Sequence, residues 1–230
     1  MDIGGGRTDD RECGAAHDFV IHIVDDDDSF RIGLLRLFSS KNLQAVGYAT
    51  LREFEQANVQ GTPGCVLLDI CMPDGDGLQL FDRLVGDDST LPVIFVSAYA
   101  DIPGSVRAMK SGALDILVKP VSGGKLLEAV AHAREIALQR HAARCQVREL
   151  LARYKTLTER ERAVFVGVAE GKLNKQVAVE VGACERTIKS ERARMMKKLQ
   201  LTRLVDVVRA AEMVGVKLSF DDGPTTERQQ

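Results

Sequence analysis

The chain has 230 residues, 45% of them hydrophobic and 28% charged, with a formal net charge of −2; that length holds two small domains with real cores, in a composition ordinary for a soluble globular protein. No apolar run approaches the ~20 residues of a membrane span, and the opening MDIGGGRTDDRECGAAHD lacks the apolar stretch of a secretory signal, so the expectation is a cytoplasmic protein without a membrane partner. The near-neutral total hides a division: residues 19–121 carry 14 acidic and 8 basic side chains, and residues 155–217 carry 8 acidic and 14 basic, which points to different partners for the two halves, a polyanion for the second.

In chain order, residues 1–18 read as a flexible extension. Five apolar, β-branched runs follow, FVIHIV (19–24), QAVGYA (44–49), GCVLLD (64–69), PVIFVS (92–97) and LDILVK (114–119), each predicted as a buried strand. Amphipathic stretches separate them: SFRIGLLRLFSSK with Phe30, Leu34, Leu37 and Phe38 on one face, LREFEQA, DGLQLFDRLV and PGSVRAMKSGA. Strict βα alternation with continuous apolar strands predicts a parallel sheet covered by helices on both faces. His22, inside the first strand, reads as a packed ring.

From about 125 to 153 the chain lacks Gly and Pro, which predicts a long helix that closes the first domain and continues as a linker. Its apolar stripe from Leu126 to Leu151 is core closure in one reading and partly a dimer seam in another. Shorter helices are predicted over 159–170, 175–181, 185–199 and 204–214, punctuated by Gly171 and Gly182; the tail 218–230 is polar. Five cysteines, Cys13, Cys65, Cys71, Cys145 and Cys184, are scattered without a C-x-x-C pair, so they are expected as reduced thiols.

In open α/β sheets the loops leaving the carboxyl ends of the strands build the ligand site. Those ends carry Asp25 and Asp26 after the first strand, Asp69 after the third, Ser97 after the fourth and Lys119 after the fifth. Clustered carboxylates need a cation, and a hard divalent ion such as Mg²⁺ accepts oxygen ligands while leaving room for phosphate oxygens. Asp69 is then the natural nucleophile toward a phosphoryl group, with Lys119 and the Ser97 hydroxyl offsetting charge on the transferring oxygens. Asp27 and Asp28 are expected only to open the following helix.

These residues resemble the receiver domain of two-component response regulators: VDD (24–26), DICMPDGDGL (69–78), VSA (96–98) and VKP (118–120) stand in the family's order over about 19–140. The resemblance implies a flavodoxin-like (βα)5 fold, Asp69 as phosphoacceptor, and Mg²⁺ bound directly by Asp26, Asp69 and the backbone carbonyl of Cys71, with Asp25 helping through water. It also implies that Gly77 keeps the chain tight beside the site. The family's switch pairs the Ser97 position with an aromatic ring three residues before the lysine; here that residue is Ile116. Either Tyr99 supplies the moving ring or loop movement alone carries the coupling.

In the second half, LNKQVAVEV, GAC and ERTIKSERARMMKKL have helix-turn-helix spacing. Val177, Ala178, Val181, Ile188, Met195 or Met196, and Leu199 form the apolar stripe, with Lys175, Arg186, Thr187, Lys189, Arg192, Arg194, Lys197 and Lys198 outside it. With LTERERAVF (157–165) and AEGKLNKQVA (169–178), the segment resembles the LuxR-type DNA-binding domain over about 153–217. That resemblance implies base contacts from Lys189, Ser190 and Ala193 and phosphate contacts from Lys175, Thr187, Arg192 and Lys197. Glu191 stands where the family commonly has His: either it changes base preference, or it turns away to pair with Lys175 or a neighbouring arginine.

Together the two resemblances imply a response regulator of the NarL/FixJ type: an α/β receiver (19–124), a closing helix and helical linker (125–153), and an all-α LuxR-type helix-turn-helix domain (154–217). Its expected partners are a sensor histidine kinase, promoter DNA and, when phosphorylated, a second copy of itself, with RNA polymerase as a further candidate. It is expected to turn over no separate substrate. A regulator working without phosphate is the alternative. An aspartyl-phosphate phosphatase is disfavoured, since it needs an acid two residues after the nucleophile and Cys71 stands there.

Overall fold

The computed structural model describes residues 19–59, 61–86, 89–98 and 108–216. The chain divides into two compact units, Met1–Ala143 and Arg144–Gln230. In the first unit the elements run β1 (Val20–Val24), α1 (Asp28–Ser40), β2 (Gln44–Tyr48), α2 (Leu51–Gln56), β3 (Gly64–Leu68), β4 (Cys71–Met72), β5 (Gly75–Asp76), α3 (Gly77–Gly86), β6 (Val93–Ser97) and β7 (Asp115–Val118). Of the helix expected between β6 and β7, residues 108–110 are described and helical. Residues 111–113, expected as its end, form a turn instead, with Ala113 N–H on Ala108 O at 3.0 Å; its earlier part lies outside the described residues, as do Tyr99, the extension 1–18, Cys13 and the tail.

Five parallel strands form one sheet in the order β2-β1-β3-β6-β7, so the expected α/β receiver fold is present. Side chains alternate between its faces, as strand geometry requires. Val66, Leu68, Val93 and Phe95 join one core with Phe54, Leu80 and Phe81. Ile21, Ile23, Leu67, Ile94 and Val96 join the other with Leu34, Phe38, Leu126 and Val130. Burial of all five strands was too broad an expectation. β1, β3 and β6 are interior and deeply buried, whereas β2 and β7 stand at the sheet edges and are largely half-exposed.

Local chemistry sets the helix starts. The Asp27 carboxylate accepts hydrogen bonds from the backbone N–H of Ser29 and Phe30, at 2.9 and 3.1 Å, an N-cap with Asp28 in the first turn. The antiparallel pair β4–β5 has no counterpart in the sequence reading, because two-residue strands are too short to show alternation. It carries Asp74, whose two carboxylate oxygens accept from Leu51 N–H at 3.3 Å and Arg52 N–H at 3.2 Å and so cap α2 from a distance. His22 is a packed ring, its Nδ1 3.1 Å from the Tyr48 hydroxyl. Burial pushes its pKa down to about 4.

Helix α4 (Gly123–Lys155) starts two residues earlier and ends two later than expected, with Ser122 at its entry accepting from the Lys125 N–H at 3.4 Å. Its first half supplies Leu126, Ala129, Val130 and Ala133 to the receiver core, and Leu150 joins the core of the second unit. That unit contains α5 (Glu159–Ala169), α6 (Asn174–Glu180), α7 (Glu185–Leu199) and α8 (Leu204–Val214). Val164, Phe165, Val177, Ile188, Met195 and Val207 fill its centre. Cys65, Cys71, Cys145 and Cys184 form no disulfide. Among the described residues no helix is long and apolar enough to cross a membrane.

A capping box opens α5: Thr158 Oγ1 accepts from Glu161 N–H at 3.2 Å, and the Glu161 carboxylate accepts from Thr158 N–H at 2.8 Å. The same carboxylate, 2% exposed, also binds Lys198 Nζ at 2.6 Å. Burial works to raise the Glu161 pKa, but the hydrogen bonds from Lys198 and Thr158 prevail and hold it below its ordinary value. The unfolded chain therefore takes up this proton first, so the stabilisation is present above the ordinary carboxylate pKa and is lost as pH falls through the folded value. Lys198→Met, which leaves a buried carboxylate without its cation, is expected to cost about 1–3 kcal/mol at pH 7. The cost should shrink in acid, as read by urea unfolding and by amide exchange in α5 and α7.

Candidate functional site

The strand order puts the carboxyl ends of β1 and β3 side by side, with β6 and β7 following. Ladder hydrogen bonds extend past the strand ends and set each functional residue. Asp25 N–H donates to Tyr48 O at 3.2 Å, Asp69 N–H to Val24 O at 2.9 Å and Lys119 N–H to Ser97 O at 3.0 Å. The expected site residues Asp25, Asp26, Asp69, Ser97 and Lys119 thus gather at one sheet edge.

Lys119 reaches across that edge. Its Nζ lies 2.6 Å from Asp25 Oδ2 and 2.7 Å from Asp69 Oδ2. The other oxygens are engaged locally: Asp25 Oδ1 accepts from Asp27 N–H at 3.0 Å and Asp69 Oδ1 from Cys71 N–H at 3.1 Å. Asp25, Asp69 and Ser97 are buried, at 2%, 7% and 1% exposure, whereas Asp26 is exposed. Burial pushes the Asp25 carboxyl above the usual carboxylate range, against the opposing pull of Lys119. For Lys119, burial opposes the charge, but the hydrogen bonds to Asp25 and Asp69 outweigh it and hold the ammonium above its ordinary pKa. Carboxylate oxygens of Asp25, Asp26 and Asp69 lie within 4.8 Å of one another. Such a hard oxygen set, partly open to solvent, fits a divalent cation of the Mg²⁺ kind.

Two contacts here had no signal in the sequence. Arg31 Nη1 donates to the Asp25 carbonyl at 2.6 Å, with its other nitrogen on Asp28. The face of the Phe30 ring lies against the Lys119 ammonium, 4.3 Å from Nζ to the centroid. Phe30 reads in sequence only as part of an apolar helix stripe. Ile116 is partly buried against the core that holds Phe95, and Tyr99 lies outside the described residues. Cys71 has an exposed side chain.

In the second unit, α6 and α7 are joined by a turn in which Gly182 adopts φ +61°, a left-handed conformation that suits glycine. Ala183 N–H closes the turn on Ala178 O at 2.9 Å. Lys175, Arg186, Lys189, Ser190, Ala193, Arg194 and Lys197 are exposed. Three of the residues expected to stand outside the apolar stripe are more constrained. Thr187 and Arg192 are half-buried, the former 3.1 Å from Cys184 Sγ and the latter donating to Asn174 Oδ1 at 3.3 Å. Lys198 is turned to Glu161. Glu191 pairs with a neighbouring arginine, Arg194, at 3.2 Å, one of the two partners that its second expected arrangement named.

The comparisons with known proteins agree with this arrangement. Residues 21–131 match the family model described as response regulator receiver domain, and residues 155–211 match that of bacterial regulatory proteins, luxR family. Nodulation protein W of Bradyrhizobium diazoefficiens is 38% identical, with 95% of this chain and 94% of that protein covered. Transcriptional regulatory protein FixJ of Azorhizobium caulinodans is 32% identical over 89% and 97%. A structure of the response regulator StyR superposes with a TM-score of 0.72 at 33% identity, covering 85% and 98%.

The close approach at Gly77 is testable by itself. A Cβ there would stand 2.2 Å from the Asp69 carbonyl oxygen, a backbone atom that cannot yield, while Gly77 N–H donates to Ile70 O at 2.9 Å. Gly77→Ala is expected to displace the segment after Asp69 and cost about 1–3 kcal/mol by overpacking; a thermal midpoint equal to that of the parent chain would contradict this.

Proposed function

Since the chain belongs to the two-component response regulators of the NarL/FixJ type, we propose that it accepts a phosphoryl group on Asp69 from a sensor histidine kinase and controls transcription by binding promoter DNA. The observation that carries this reading is the Lys119 ammonium shared between the buried carboxylates of Asp25 and Asp69, on a chain that also bears a basic helix-turn-helix. In the assignment of parts, residues 19–124 are the receiver, 125–153 the closing helix and linker, and 154–217 the DNA-binding domain.

The Asp69 carboxylate attacks phosphorus, and the donor's leaving group departs with the bonding pair. Lys119 and the Ser97 hydroxyl then stabilise the phosphoryl oxygens. Asp25, Asp26, Asp69 and the Cys71 carbonyl would hold Mg²⁺, which when bound supplies further neutralisation of those oxygens. No separate substrate is turned over; the protein is a phosphoacceptor that at most removes its own phosphate. Phosphorylation favours a homodimer, which doubles the DNA contact. In the DNA-binding domain, exposed Lys175 and Lys197 with half-buried Thr187 and Arg192 meet phosphates, and Lys189, Ser190 and Ala193 face base edges. A second reading, regulation without phosphate, is favoured by Ile116 in place of a mobile aromatic ring.

With acetyl phosphate and Mg²⁺, the intact chain should gain one phosphoryl group by mass, and Asp69→Ala or chelation of the metal should abolish the gain. Because the Asp25 pKa is raised, protons compete for that ligand at a higher pH than for an ordinary carboxylate. Phosphorylation should therefore decline as pH falls, beginning above the usual carboxylate range. A chain that gained no phosphate would leave only the second reading.

DNA binding has its own readout. Lys197→Ala should weaken binding to mixed-sequence duplexes evenly and reduce the salt slope by about 1. Lys189→Ala should instead change which sequences are selected from a random library. An unaltered salt slope for the Lys197 variant would remove it from the phosphate contacts.

A further inference from the structure

Resting on the phosphoacceptor reading above, we propose that Phe30 is a positioning residue for phosphoryl transfer, its ring face holding the Lys119 ammonium at the Asp25–Asp69 pair. A lysine ammonium is a compact charge on a flexible four-carbon stem, and something must fix it. Two sides of Nζ meet carboxylate oxygens at 2.6 and 2.7 Å, and a further side faces the Phe30 ring, 4.3 Å from its centroid. The Lys119 side chain is only 16% exposed, so little water is left to complete its solvation. The electron-rich ring face takes that place.

The ring is itself well anchored. Phe30 belongs to the first turn of α1, where the Asp27 carboxylate holds its N–H at 3.1 Å, and its side chain packs against the core of Leu34 and Phe38. Arg31, the next residue, ties the same turn to the Asp25 carbonyl. The first turn of α1 thus grips both the lysine and the end of β1.

This contact weighs more during the reaction than before it. When acetyl phosphate is the donor, an Asp69 oxygen forms a bond to phosphorus while the P–O bond to acetate breaks. Acetate leaves with the electron pair, and no proton is consumed. As the Asp69 oxygen shares its charge with phosphorus, its hold on Lys119 weakens. The ammonium must then serve a phosphoryl oxygen while Asp25 and the ring keep it in place. An interaction that gains weight in the transition state raises the maximal rate rather than donor affinity.

The experiment compares the full-length parent chain with Phe30→Leu and Phe30→Tyr by intact-protein mass time courses, at a series of acetyl phosphate concentrations with Mg²⁺. Thermal melts by circular dichroism establish equal folding; should Phe30→Leu melt early, Phe30→Met takes its place. Phe30→Leu keeps apolar bulk but loses the ring face, and its maximal rate should fall about three- to tenfold with the half-saturating donor concentration unchanged. Phe30→Tyr, which keeps the ring, should stay within about twofold of the parent. A Phe30→Leu chain reacting at the parent rate overturns the proposal, as does a Phe30→Tyr chain as slow as Phe30→Leu. A parent chain that takes no phosphate overturns the phosphoacceptor reading and this assignment together; a phosphorylated parent with an indifferent Phe30→Leu variant overturns this assignment alone.

Discussion

The first unit depends on one electrostatic problem and its solution. Parallel strands deliver the carboxylates of Asp25 and Asp69 to the same edge, where both are buried, and two negative charges taken out of water side by side are costly without a cation. Lys119, from the far side of the sheet, supplies it through two short hydrogen bonds. The hydrogen bonds that align β6 with β7 and carry the ladder past Ser97 matter because they bring Lys119 within reach. Gly77 matters for a related reason, since its bare Cα lets α3 start against the Asp69 carbonyl.

The second unit solves a similar problem in another way. Glu161 is almost wholly buried, yet its carboxylate accepts from two donors, the Thr158 N–H that starts α5 and Lys198 Nζ from α7, while its own N–H donates to Thr158 Oγ1. A charge that would be costly in a small core becomes the junction between two helices. This also sorts the basic residues of α7. Lys198 works inward, Arg194 pairs with Glu191, and Lys189 and Lys197 remain exposed.

Much of this was legible before any coordinates. The helices of the second unit fall within a residue or so of their expected bounds, because each is opened or closed by strong local signals such as the T-x-x-E box and the left-handed Gly182 turn. The strands were legible as runs, but their burial was not. DILV is nearly as apolar as the interior strands and is exposed because it stands at an edge, whereas QAVGY, at the other edge, is visibly more polar than VIHIV or GCVLL. The β4–β5 pair and the Asp74 cap on α2 were out of reach, since two-residue strands and a cap from a residue 22 or 23 positions away leave no local pattern.

By itself, the sequence determined the fold class, the order of the elements and the set of chemistry-bearing residues at the strand ends, because periodicity and turn chemistry are short-range properties. The tertiary structure alone decided which partners those residues take. Lys119 lies 94 positions from Asp25, and nothing local says whether its charge meets solvent, one carboxylate or two. The same holds for the Phe30 ring against that ammonium, for Lys198 on Glu161 and for Glu191 on Arg194. Pairings of this kind follow from where whole elements pack, and only the assembled sheet and helices fix those distances.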